Sequence, residues 1–375
     1  TLDTAYRSEM FLERAWVVLV SGLIRASILG GILFFVCHFL LTRPIMTLIN
    51  SISSVDPSRP GDRKLNSPHG HDDDELGNWV ESSTFDGNSR ANSVSFTIGN
   101  KGYLVTGYDG DDYLNDTWEY NSDDDYWVQR AAFPGTPRSG AVGFTINGKG
   151  YLGTGFDGDN ELKDFWEYDP TTDSWTQKAD FGGSARYGAI GFSIGNSGYI
   201  GTGYDGSEQK DFWKYDVATD SWEQSVGFGG QKRKDASVFV IDDIAYVGLG
   251  IHNGAYEEDF YSFNGTNWTR LTDLDDDDDD DDDFEILLSS GVSFSLNGLG
   301  YVTTGISGSI TTESWVYDPS SDTWDELPEF EGSARQNASA FTFPNKAFVA
   351  MGRSGSYYFD DVWEFRPDEL ENEDD

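Results

Sequence analysis

Sulfur, histidine and positive charge are all scarce in this 375-residue chain. It has one cysteine, three methionines and four histidines. A single cysteine leaves no disulfide framework and no cysteine-based zinc site. Lys and Arg number 25 against 66 Asp and Glu, a formal net charge of −41. Nucleic acid is thereby excluded as a partner, because binding it rests on cationic contacts to phosphate. What the chain does have is 43 glycines, 12 tryptophans and an aromatic share of 15%. That share argues against a disordered acidic chain, since disorder goes with few aromatics.

The charge is unevenly placed. Residues 1–77 carry seven Lys/Arg and nine Asp/Glu, a net of −2, and residues 78–375 carry the remaining −39. The first part contains Ala15 to Thr42, apolar except for Arg25 and His38. A bilayer needs roughly 20 such residues. The sequence therefore predicts a juxtamembrane segment over 1–14 and a transmembrane helix over 15–42. Arg25 would snorkel to one interface and Arg43 would mark the other. Cys37 reads as a small apolar filler of that helix. Flanking arginines lean only slightly toward a cytoplasmic C-terminal side.

After the span come Arg43-Pro44 and apolar residues at Ile45, Leu48, Ile52 and Val55, a heptad-like stripe. A connector with Pro57, Pro60 and Pro68 follows, then Asp73-Asp74-Glu75-Leu76-Gly77. This order resembles the HAMP linker of bacterial membrane sensors, over residues 20–77, and implies a linker spanning 43–77. It departs from that family where a second heptad helix should begin. Asn78-Trp79-Val80 leads instead into Ser82-Ser83-Thr84-Phe85-Asp86-Gly87, with no 3.5-residue period. The departure counts against a signal-transducing role.

The rest of the chain repeats. Tyr103, Tyr151, Tyr199, Tyr246, Tyr301 and Phe348 are spaced by 48, 48, 47, 55 and 47 residues. Phe96, Phe144, Phe192, Phe239, Phe294 and Phe341 keep the same spacings. Two tryptophan columns agree: Trp118, Trp166, Trp213, Trp315 and Trp363 (with Tyr261 in the fourth unit), and Trp127, Trp175, Trp222, Trp268 and Trp324. Each unit reads as four short strands divided by turn residues such as Asn147-Gly148 and Asp157-Gly158. Four strands in about 48 residues make a propeller blade. The run from Trp79 to Arg90 matches the tail of such a unit, and the last unit lacks a tail. The two ends should therefore share one sheet.

The string Gly150-Tyr151-Leu152-Gly153-Thr154-Gly155, then Asp164-Phe165-Trp166 and Trp175, resembles the Kelch repeat, with Thr-Gly in place of its double glycine. The variant resembles bacterial Kelch and galactose-oxidase-like proteins. The expected fold is all-β: a six-bladed Kelch β-propeller over 78–367, closed by an N-terminal strand and preceded by one transmembrane and one short amphipathic helix. Residues 274–284, with nine consecutive aspartates from Asp275 to Asp283, read as an acidic disordered loop, and 368–375 as an acidic tail.

The resemblance also tests chemistry. Galactose oxidase uses copper and a Cys-Tyr crosslink. The only cysteine here is Cys37, and the propeller has one histidine, His252, so copper oxidation is excluded by inventory. Sialic-acid mutarotase is another Kelch enzyme type that resembles this chain in fold, but no convergent acid–base set stands out. Arg90, Arg138, Arg186, Arg233 and Arg335 each precede a Phe of the Phe column by six residues, and Leu288 stands in the fifth unit. Matching arginines grip acidic peptides in Kelch domains, so these five are candidate ligand-binding residues; the alternative is internal pairing with aspartates. The loops holding Asp109, Asp111, Asp157 and Asp159 could offer oxygens to calcium, or serve as ordinary Asp-Gly turns. No other cofactor is implied. The reading is a membrane-anchored binding module for a protein, peptide or glycan at the propeller mouth. A membrane sensor and a carbohydrate-active enzyme are the alternatives. Side of the membrane stays open, since HAMP linkers are cytoplasmic and this Kelch type looks exported.

Overall fold

The computed structural model describes residues 76–274 and 285–370. Among the described residues there is no helix. Six four-stranded antiparallel sheets form the fold. Blade two shows the plan, with strands Val142–Ile146, Lys149–Gly153, Phe165–Asp169 and Ser174–Lys178 from the axis outward. The innermost strands touch in a closed cycle, blade six packing on blade one as each other blade packs on the next. The arrangement is the six-bladed β-propeller that the repeats predict.

Ring closure follows from the split repeat. Blade six takes Ser339–Phe343, Lys346–Ala350 and Val362–Leu370 from the end of the chain and Leu76–Glu81 as its outermost strand. Trp79 lies opposite Phe365 in the ladder and is 1% exposed. Two boundaries shift. Leu76 and Gly77, expected to end the linker, belong to this strand, because Leu76 pairs with Leu370. That same pairing draws residues 368–370 out of the expected acidic tail. At the acidic loop, Leu274 is fully buried and donates its N–H to Glu258 O. The expectations for 1–14, for the helix over 15–42, for 43–75 of the linker, for 275–284 and for 371–375 lie outside the described residues.

The repeated columns have separate packing jobs. Phe96 of blade one lies against Gly150 of blade two, where an added Cβ would meet the ring at 2.2 Å. Only glycine admits the neighbour's phenyl ring there, which explains the Gly-Tyr pair of the repeat. The outer tryptophans tie blades together: the Trp175 and Trp222 indoles donate to Ala131 O and Ala179 O of the preceding blades, each at 3.1 Å. Inner tryptophans direct their indole N–H within their own blade. Trp166 Nε1 donates to Asp164 Oδ2 at 2.7 Å.

Candidate functional site

Each second strand ends in a left-handed pair. Thr154 and Gly155 have φ of 63° and 106°, and Thr106-Gly107, Thr202-Gly203 and Thr304-Gly305 repeat the conformation. A β-branched residue pays a steric penalty there. The neighbouring arginine steadies the turn. Arg138 Nη1 donates to Thr154 O at 2.9 Å and to Asp164 Oδ1 at 2.6 Å, and Nη2 reaches Asp164 Oδ2 at 2.8 Å. Nε donates to Thr136 O, and the guanidinium lies over the Phe133 ring.

The same fork recurs at Arg90 with Asp116, Arg186 with Asp211 and Arg335 with Asp361, and Arg233 pairs with one carboxylate oxygen of Asp259 and with its backbone carbonyl. All five arginines are at most 1% exposed. Their backbones belong to the preceding blade: Arg138 N–H donates to Leu114 O, and Arg138 O accepts from Gly107 N–H. Each arginine therefore bolts one blade to the next. The expected arginine rim is replaced by an arginine core, because internal carboxylates and carbonyls use the whole fork and no guanidinium is offered to a ligand. Burial works to raise the Asp164 carboxyl, and Arg138 with Trp166 overcomes it and holds it below the ordinary value.

The aspartates considered for calcium, Asp109, Asp111, Asp157 and Asp159, form turns. Asp109 Oδ1 accepts the N–H groups of Asp111 and Asp112 at 3.0 and 2.8 Å. Asp157 Oδ1 accepts those of Asp159 and Asn160 at 2.9 and 2.7 Å. The glycines of these turns receive tyrosines from the preceding blade, Tyr358 against Gly110 and Tyr113 against Gly158. Among the described residues no three His, Cys, Asp or Glu side chains converge as metal ligands.

The mouth itself is built by residues outside both sets. Two residues after each arginine position stand Asn92, Gly140, Gly188, Asp235, Ser290 and Asn337, all with φ between 54° and 61°. Their backbones form a closed ring. Gly140 N–H donates to Asn92 O, Gly188 to Gly140, Asp235 to Gly188, Ser290 to Asp235, Asn337 to Ser290 and Asn92 to Asn337, at 2.8–3.1 Å. Inside lies an axial cavity of about 130 Å³ lined by these six residues and the small residue following each.

Beside the cavity runs an arc of partly exposed aromatic rings. Tyr358 meets Tyr108 at 6.0 Å, Tyr108 meets Tyr113 at 4.9 Å, and Tyr113 meets Phe156 at 6.2 Å. Phe156 meets Tyr187, and Tyr187 meets Tyr204, both at 5.5 Å. The arc crosses blades six, one, two and three. The residue two positions after Thr106, Thr154 and Thr202 is Tyr108, Phe156 and Tyr204, a column that the sequence displays but that sits outside the Kelch framework residues.

His252 lies on a short hairpin of blade four. Its Nδ1 is 3.7 Å from Glu257 Oε1, and Asn253 Nδ2 is 3.0 Å from its Nε2. Burial pushes the Glu257 carboxyl up, against the pull of Arg233.

Fold and sequence together define a six-bladed β-propeller bearing a Kelch motif, for the Kelch motif model matches residues 137–182, the Arg138 bolt and blade two through its outer strand. Among solved structures 832 chains match. One of them, the structure of YjhT, is similar at a TM-score of 0.63 and 16% identity, over 75% of this chain and 95% of that one. An identity so low speaks for the fold alone. No curated protein sequence matches.

Proposed function

We propose that the chain is a membrane-anchored, non-enzymatic binding module that holds a protein, peptide or glycan at the mouth of its propeller. The aromatic arc from Tyr358 to Tyr204 carries this reading. Rings left partly exposed on a rigid frame supply contact area at little entropic cost, and loops held by a scaffold are where binding surfaces sit. The anchor rests on the apolar run Ala15 to Thr42. An array of glycans and peptides probed with the full chain tests the binding role: a ligand is retained and recovered chemically unchanged. Retention of the chain in the membrane pellet after alkaline extraction tests the anchor.

A second reading, a carbohydrate-active Kelch enzyme, has one observation in its favour. His252 and Glu257 lie within 3.7 Å, and an imidazole and a carboxyl so placed are the groups that general acid–base catalysis uses. Conversion of a bound sugar on incubation, lost in His252→Gln, would establish that reading in place of the first.

A further inference from the structure

The axial cavity has one charged lining residue, Asp235. We propose that this cavity takes an alkylammonium group, seated on Asp235, and that the cation is a lysine side chain of a basic protein segment or a free polyamine. The proposal rests on the mouth being the binding face and adds the chemistry of what enters it.

Several independent features converge on Asp235. Its backbone is locked by the hydrogen-bond ring on both sides, to Gly188 and Ser290. Its Oδ1 sits 2.6 Å from where a Cβ on Gly188 would stand, so the carboxylate occupies space that only glycine leaves. Among the described residues no hydrogen bond or ion pair to this carboxylate is formed. The adjacent Lys234 does not pair with it; its ammonium lies over the Tyr187 and Tyr204 rings at 5.7 and 5.2 Å. Enclosure pushes the Asp235 carboxyl up, with Lys234 opposing and Glu208 adding to the rise. A half-buried carboxylate with no bonded partner is stabilised by an incoming cation.

The surroundings agree. Asn92, Ser290 and Asn337 line the same cavity and add neutral oxygens that can accept from an ammonium. The backbone N–H groups of the six ring residues are all engaged with one another. Tyr187 packs against Gly140 at the cavity wall, which joins the aromatic arc to the site. That arc already holds one ammonium, that of Lys234, by attraction to ring faces. The net charge of −41 draws cations to the molecule from a distance.

The test is calorimetric titration of the full chain at roughly 150 mM salt, where diffuse attraction is screened. The probes are acetyl-Gly-Lys-Gly-amide, the same peptide with acetylated lysine, and spermidine. Saturable one-site binding of an ammonium probe is expected, absent with the acetylated peptide. Asp235→Asn should weaken it by roughly tenfold or more, the loss of one charge-assisted contact. Asp159→Asn, an equal charge change on an exposed loop, should leave it unaltered. Whether the peptide or spermidine binds more tightly identifies the source of the cation. Asp235→Asn keeps the side-chain shape and removes a charge that has no bonded partner, so its melting temperature should not fall. Equal weakening in the two variants, equal binding of the acetylated peptide, or no saturable binding overturns the proposal. A neutral or anionic ligand whose binding depends on Tyr108 and Tyr113 would overturn it and leave the mouth as a binding face; array ligands indifferent to those tyrosines would overturn the binding face itself.

Discussion

Arg138 and Asp164 stand 26 residues apart in sequence and meet in a two-pronged pair at 2.6 and 2.8 Å, with the arginine wholly buried. The arginine's backbone is bonded to blade one and its side chain to blade two, so the pair is a joint between blades. Removing one partner of a buried pair leaves an uncompensated charge, at a cost of about 3–5 kcal/mol. Arg138→Ala should therefore lose about that much in urea unfolding. Arg138→Leu combined with Asp164→Asn should lose less than Arg138→Leu alone. Blade five shows that the ring tolerates an apolar residue at this position, since Leu288 fills it.

The forks also set an acid limit. Asp116, Asp164 and Asp211 are each held below the ordinary aspartate value; burial opposes the shift and the paired arginine outweighs it. A carboxyl depressed in the folded state contributes stability that is complete above its unfolded pKa and lost as pH falls through its folded one. Unfolding free energy should therefore be level with respect to these groups above about pH 4 and decline below it. A series of urea melts from pH 6 downward checks this, and the slope should shrink in the Arg138→Leu, Asp164→Asn variant.

Glu313 occupies the aspartate position of blade five, the blade whose arginine position holds Leu288, and burial pushes its carboxyl up. The sign here is reversed. A raised carboxyl favours the fold when protonated and weighs against it once pH rises through the folded value. Glu313→Gln should raise stability at pH 7 by up to about 1 kcal/mol, and the gain should vanish near pH 4, where both forms are neutral. Paired melts at the two pH values measure it.

Ring closure depends on Trp79, 1% exposed and packed on Phe330 and Phe365 at 4.9 and 4.7 Å. Trp79→Ala should destabilise by about 3–5 kcal/mol. The damage should begin at blade six, where hydrogen exchange of Val362–Leu370 is expected to rise before that of Val142–Ile146.

The blades were legible in the sequence because aromatic packing repeats with the chain. The Phe and Tyr columns share a period since four of the six Phe rings cover the glycine of the next unit, with Ala245 and Ala347 standing at that position in blades four and six. Trp79 could be assigned to the last blade from sequence because it matched Trp175. The arginines were visible as a column, but their direction was not. Whether a guanidinium points to solvent or into a blade joint depends on a carboxylate about 26 residues on, placed by the fold. The axial ring was hidden for another reason. Asn92, Gly140, Gly188, Asp235, Ser290 and Asn337 share a left-handed backbone rather than a side chain, and a list of residue types does not display that.

The central claim is that the aromatic end of the ring is the binding face. The direct measurement is array binding of the full chain against two variants. One carries Tyr108→Ser and Tyr113→Ser in the arc; the other carries Thr172→Ala, exposed in the turn between Phe165–Asp169 and Ser174–Lys178 at the far end of blade two. The account predicts that ligands of the parent chain are lost from the first variant and kept by the second, with both variants folded by circular dichroism. Ligands kept by the tyrosine variant, or lost only from the Thr172 variant, would contradict it.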